Sequence, residues 1–258
     1  MKKQLWSIIL FVIIFCGCKK KTVYTAIVGA MPEEIEVISQ ELEHATIHYI
    51  QNIPFIEGEL QGEPVVILKC GVGKVNAAIS TTLLIDHYSP EKIIFTGIAG
   101  AIASQLKPED IVIGTKFIQH DLGTQKKNLF KVWAAPNIAT GEEHPVFIQS
   151  DEQLVKKSVS LLKGQPNIYW GNIATGDQFI ADSAKKEYLF KHYHALAVDM
   201  ESAAIAQVCL QFKTPFIIIR SISDHANDNA ETTYFFNKKK AAHKTLDIIK
   251  QMITTEVE

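Results

Sequence analysis

The chain has 258 residues, 47% of them hydrophobic, which is enough for one large α/β domain with a substantial core. Formal net charge is −2 and the sequence pI is about 6.5, so charge does not indicate a nucleic-acid partner. The cations are nearly all lysine, and Arg220 is the single arginine, which leaves little material for the bidentate clamps that usually hold phosphate.

Residues 1–18, MKKQLWSIILFVIIFCGC, place Lys2 and Lys3 before an apolar run over 5–15. That run is short for a membrane span of roughly 20 residues and has the layout of a secretory signal peptide. Its end, FCGC, is similar to a bacterial lipoprotein signal, with the small Gly17 before a lipidated Cys18. An uncleaved anchor is the alternative. Either way the protein is expected to be exported and held on a bacterial membrane, at its periplasmic or surface face. Residues 19–22 form a basic tether, whose lysines would add roughly 1 kcal/mol per charge against anionic lipid. Residues 23–258 read as one domain. The remaining cysteines, Cys70 and Cys209, read as buried thiols, with no disulfide framework or metal cluster visible.

From residue 23 onward, strand-like and helical patterns alternate. VYTAIVGA is a strand, and PEEIEVISQELE a helix started by Pro32. ATIHYI and FIEGEL suggest a hairpin, PVVILKC a buried strand and GKVNAAISTTLLIDHY a helix. KIIFTGIAGAI runs into a glycine-containing turn, and DIVIGTKFIQHDL is strand-like. Residues 123–145 lack a clear period and read as a long loop, a kind that is often functional. Then come a helix (DEQLVKKSVSLLK), a strand into a loop (IYWGNIATGDQFI), a strand into a helix (AVDMESAAIAQVCLQF), a buried strand (FIIIRSISD) and one helix over 232–252. The alternation predicts a three-layer α/β/α sandwich.

In such a sheet, ligands bind beyond the carboxyl ends of the strands, and acidic residues recur there. The stretch AIVGAMPEEIEVI brings Glu33 and Glu34 to a turn that in many α/β proteins cradles phosphate. Either carboxylate would also complement the dipole at a helix start. Glu201 follows the strand in AVDMESAA, where a carboxylate can take two hydrogen bonds from a vicinal diol or stand as an ordinary helix-start charge. In FIIIRSISD, burial continues into Arg220, which needs a partner. Asp224 just beyond is a helix cap or a general acid; acid work near neutrality requires a pKa above the usual 3.9. Phe179 and Ile180 in TGDQFI are core residues or a platform for a base.

GAMPEEI, GVGKVNAA, TGIAGAI, TGDQFI, VDMES and RSISD, in this order, resemble the 5′-methylthioadenosine/S-adenosylhomocysteine nucleosidase family of the nucleoside phosphorylase fold. The resemblance covers nearly the whole chain after the signal. It implies that Asp224 protonates N7 of adenine and that Glu34 activates the attacking water. Glu201 would bind the ribose hydroxyls above Met200, with Arg220 orienting the water and the ribose edge. Phe179 would stack on adenine and the Ile180 backbone would read its edge. Met31, Val72 and Tyr234 would line an apolar 5′-alkylthio pocket. Ile98 departs from the pattern, since some members carry a small hydroxyl residue there.

The expected partners are a nucleoside substrate and a second copy of the chain, since the family is typically homodimeric, with the partner helping to close the alkylthio pocket. No metal or organic cofactor is implied. A carboxylate where a phosphorylase would hold phosphate, together with one arginine, points to hydrolysis. The alternatives are a purine nucleoside phosphorylase, a hydrolase of broader purine specificity, or a tethered protein binding anionic polymers through Lys126-Lys127, Lys185-Lys186 and Lys238, Lys239 and Lys240.

Overall fold

In the computed structural model, which describes residues 22–127 and 129–254, the apolar runs become central strands because both of their faces are covered. In chain order the elements are β1 (Thr25–Gly29), α1 (Pro32–Gln40), β2 (Glu43–Ile50), β3 (Ile53–Leu60), β4 (Glu63–Lys69), α2 (Lys74–Tyr88), β5 (Lys92–Ala101) and β6 (Ile111–Gln119). There follow β7 (Gly123–Lys126), β8 (Leu129–Val132), β9 (Ile148–Gln149), α3 (Glu152–Leu162), β10 (Ile168–Thr175), α4 (Ser183–Tyr193) and β11 (Ala195–Asp199). The chain then runs through α5 (Ser202–Phe212), β12 (Phe216–Asp224), α6 (Ala230–His243) and α7 (Leu246–Thr254).

Neighbouring residues on a strand point to opposite faces. Val28, Leu68 and Phe95 therefore pack with α2 and α5, while Ile27, Ile67 and Ile94 pack with α1 and α7. The result is the expected α/β/α layering.

The main sheet runs β11-β10-β6-β12-β5-β1-β4-β3-β2, with β9 beside β6. β11 also pairs antiparallel with β5, through Ala197 opposite Ala101 and Val198 opposite Gly100. That pairing closes β5, β12, β6, β10 and β11 into a ring. It brings the ends of β11 and β12 against the end of β5.

The structure departs from the sequence expectation in places. Residues 123–145 are not uniformly loop, because β7 and β8 form a hairpin of their own. The helix expected over 232–252 is two helices. They part at Thr245, whose buried hydroxyl meets the Thr96 hydroxyl at 2.6 Å across the core. α4 was missed; Asp182 caps it by accepting from the Ala184 and Lys185 N–H groups. Cys70 and Cys209 are free and buried, as expected. Residues 1–21, with the signal, Cys18 and the lysines of the tether, lie outside the described residues. Among the described residues no helix is long and apolar enough to cross a membrane.

Candidate active site

Glu34 stands in the first turn of α1 and reaches back over the turn from β1. Its Oε2 accepts from the N–H groups of Ala30 at 2.6 Å and Met31 at 2.9 Å, donors that a helix start leaves unsatisfied. A residue serving only the helix would stop there. Oε1 instead accepts from the N–H of Ile98 on β5, 2.9 Å away. The carboxylate is therefore fixed between two strands. Burial pushes its pKa up, against Arg220 and the three N–H donors, which favour the charged form.

Arg220 on β12 is completely buried. Its Nε donates to Asp199 Oδ2 at 2.8 Å and its Nη1 to the Thr96 carbonyl at 3.3 Å. Nη2 donates to Ser202 Oγ at 3.2 Å and lies 3.6 Å from Glu201 Oε2. The guanidinium sits 3.9 Å from the Phe95 ring centroid. Both it and Glu34 pass so close to β5 that a Cβ at Gly97 would lie 2.0 Å from Arg220 Nη1 and 2.6 Å from Glu34 Oε1. Only glycine fits there.

Arg220, expected to help orient the water and the ribose edge, lies among the buried carboxylates beside the cavity. It is absent from the cavity lining, because a guanidinium buried this deeply is consumed by Asp199, Glu201, Ser202 and Thr96. The partner that its burial demanded is Asp199, at the end of β11. Asp199 also accepts from Thr175 Oγ1 at 2.6 Å and from the Ser202 hydroxyl. The sequence signal was there, as a lone buried arginine implies an equally buried acid, but VDMES offers both Asp199 and Glu201.

Glu201 begins α5. Its Oε1 accepts from the Gly73 N–H at 2.9 Å, which ties the GVGK turn to the site. Gly73 has φ +93, a conformation that favours glycine. Burial pushes the Glu201 pKa to about 7; Arg220 opposes the shift and the neighbouring Asp199 adds to it. Asp224 closes β12. Its Oδ2 accepts from the Ser223 hydroxyl at 2.7 Å and its Oδ1 from the Ala226 N–H at 2.8 Å. Burial raises its pKa as well, despite both donors.

Glu34, Glu201 and Asp224 line one cavity of about 270 Å³. Phe179, Ile180, Met200, Met31 and Val72 line it too, so every expected site residue among the described ones except Arg220 is brought together. Phe179 meets Tyr234 edge to face, with centroids 5.5 Å apart. The Tyr234 hydroxyl donates to Met31 Sδ at 3.3 Å. Ile98 lines the same corner and packs with Ala241 and Ala242 of α6. An apolar clamp therefore stands at this corner of the cavity. Sequence reasoning gave no role to Ser223 or Gln178, which also line the cavity.

The arrangement can do acid–base chemistry on a largely apolar ligand. Of the lysine runs, Lys238 pairs with Glu33, Lys240 with Glu109, and Lys186 donates to the His225 carbonyl. These contacts favour a role inside the domain for those side chains over polymer binding.

The family model of the phosphorylase superfamily matches residues 24–254. A 5′-methylthioadenosine/S-adenosylhomocysteine nucleosidase of Bacillus subtilis (strain 168) is 39% identical over 230 residues, covering 87% of this chain and 96% of that protein. A solved structure of the nucleosidase from S. pneumoniae with the transition-state inhibitor MT-ImmA matches with a TM-score of 0.80 at 30% identity, over 90% of this chain and 98% of that one. The futalosine hydrolase of Helicobacter pylori strain 26695 matches with a TM-score of 0.80 at 27% identity, over 90% of this chain and 97% of that one.

Proposed function

Because the chain belongs to the phosphorylase superfamily and, within it, to the 5′-methylthioadenosine/S-adenosylhomocysteine nucleosidases, we infer that it is a hydrolase of both nucleosides. It cleaves the N-glycosidic bond and releases adenine and the thioribose product.

One observation carries hydrolysis over phosphorolysis. Among the described residues lining the cavity none is a lysine or arginine, whereas Glu34, Glu201, Asp199 and Asp224 are all there. Phosphate would enter a field of carboxylates with no cation to hold it, while water needs only a base.

In the mechanism we propose, Phe179 stacks on adenine and the Ile180 backbone reads its edge. Asp224 gives its proton to N7, so the base leaves as a neutral group. The sugar becomes cation-like as the bond opens, and the carboxylates around it stabilise that charge. Glu201 holds the ribose hydroxyls above Met200. Glu34 takes a proton from the attacking water. Met31, Val72 and Tyr234 receive the 5′-alkylthio group. Arg220 acts through Glu201 and Asp199, holding the carboxylates in place rather than touching the ligand.

The domain incubated with 5′-methylthioadenosine is expected to yield adenine and free methylthioribose at a rate indifferent to added phosphate. A sugar 1-phosphate among the products would make the protein a phosphorylase.

We also propose a homodimer. α2 and α5 share a depression that Val75, Ala78, Val208 and Phe212 line together with Ile138, beside the polar Gln207 and Gln211. Val75 is 68% exposed and Ile138 85%, and Val72, which lines the cavity, is exposed as well. Export and lipid anchoring through Cys18 are proposed on the FCGC pattern. Light scattering on the domain tests the dimer. A mature protein whose first residue is a lipidated Cys18 by mass spectrometry tests the anchor.

A further inference from the structure

The Met31–Tyr234 corner of the cavity borders an ion pair that the reaction does not use. Lys238 stands one turn beyond Tyr234 on α6, and its Nζ lies 5.9 Å from the centroid of the Tyr234 ring. The same Nζ meets Glu33 Oε1 at 2.8 Å. Glu33 is the neighbour of Glu34 in the first turn of α1, beside the Met31 whose sulfur accepts the Tyr234 hydroxyl. The two charged side chains are 31% and 26% exposed, so both reach solvent where the apolar corner ends. Lys238 holds the Glu33 carboxyl below its usual range, with help from Lys239, so the pair is fully charged at neutral pH.

We propose that Glu33 and Lys238 form a subsite for a zwitterionic α-amino acid carried on the 5′-thioether of the substrate. The proposal rests on the nucleosidase reading and names the feature by which the site tells its two substrates apart. Methylthioadenosine ends in a methyl group. S-adenosylhomocysteine continues from sulfur through a short carbon chain to an ammonium and a carboxylate.

With the sulfur against Met31 and Tyr234, that chain reaches roughly 5 Å to its carboxyl carbon at about 1.5 Å per carbon–carbon bond. This is comparable to the span from the Tyr234 ring to Lys238 Nζ. The ammonium then takes the place of Lys238 as partner of Glu33, and the carboxylate takes the place of Glu33 as partner of Lys238. The exchange is cheap, because a partly exposed ion pair contributes only about 0–1 kcal/mol. Each charge of the pair gains a partner as it gives one up. A lone lysine at this corner would favour an acid and a lone glutamate an amine; together they match a head that carries both.

The test is kcat/KM for both nucleosides in wild type, Glu33→Gln and Lys238→Met. Methylthioadenosine, which lacks the head, is the internal reference. The ratio of S-adenosylhomocysteine to methylthioadenosine is expected to fall by up to about fivefold in each variant, mainly through KM. Two 5′-thioadenosines with half a head separate the contributions. One ending only in an ammonium is expected to lose with Glu33→Gln, and one ending only in a carboxylate with Lys238→Met. An unchanged ratio overturns the subsite. An equal loss for both nucleosides overturns it too, and marks the pair as a link between α1 and α6. No adenine from either nucleoside with the wild-type protein would instead overturn the nucleosidase reading itself.

Discussion

Asp224→Asn is expected to slow adenine release by about 10²- to 10⁴-fold, the usual contribution of a general acid, in a domain that stays folded. Asparagine has the shape of aspartate. Its Oδ1 keeps the bond from the Ala226 N–H, and the Ser223 hydroxyl can turn to accept from the new amide where it now donates to Oδ2. What disappears is the proton for the leaving base. The environment of Asp224 is suited to carrying that proton, since burial raises its pKa and keeps the acid form at higher pH than a free aspartate would allow.

The pH profile follows from the same logic. Asp224 must be protonated and Glu34 ionised, so activity falls on the alkaline side as Asp224 loses its proton. It falls on the acid side as Glu34, whose pKa is also raised, gains one. In Asp224→Asn the alkaline limb is expected to flatten while the acid limb persists. Steady-state adenine release across pH, with thermal unfolding as the check on folding, measures both. A variant retaining more than a tenth of the wild-type rate would remove Asp224 from the role of acid.

The site was legible where chemistry interrupts an apolar run. Glu34, Glu201 and Asp224 each follow a buried strand, and a carboxylate at such a place either caps a helix or faces a ligand. Glu34 is placed for both, since it accepts from N–H groups at the start of α1 and lines the cavity. The strands were legible for a related reason: VVILK and FIIIR carry no alternation because both faces are covered. What the sequence hid depends on long-range closure. The pairing of Arg220 with Asp199 follows from the β11–β5 contact that completes the ring, and no local pattern announces it. The break between α6 and α7 has no proline or glycine to mark it. It is set by Thr245 meeting Thr96, 149 positions earlier. α4 was hidden because its face is polar, although Asp182 supplied a start signal.

Arg220→Met should be the most damaging single change in the core of the site, at about 3–5 kcal/mol, the cost of leaving buried charges without their partner. For a domain of this size that corresponds to a fall in Tm of roughly 6–20 °C. The side chain is fully buried and its volume is nearly conserved by methionine, so the loss is mainly electrostatic. Asp199 loses its 2.8 Å partner, Glu201 loses a cation at 3.6 Å, and Glu34 loses the charge that opposes its desolvation. The acids must then share one pocket as like charges. Glu34 and Glu201 relieve this by taking up protons, which gives the defect a pH signature. Glu34 and Glu201 already have folded-state pKa values above their unfolded ones, Glu201 at about 7 against 4.5. A group raised in this way favours the fold most below its unfolded value, and that contribution is lost as pH rises through the folded value. Removing Arg220 raises these values further, so the gap in Tm between wild type and variant is expected to be small near pH 5 and to widen toward pH 8. Adding Asp199→Asn to Arg220→Met removes one of the stranded charges and is expected to recover part of the loss at pH 8. Thermal unfolding of the three proteins at both pH values decides it. A single variant within 2 °C of wild type at pH 8 would mean that the carboxylates are not held by this arginine.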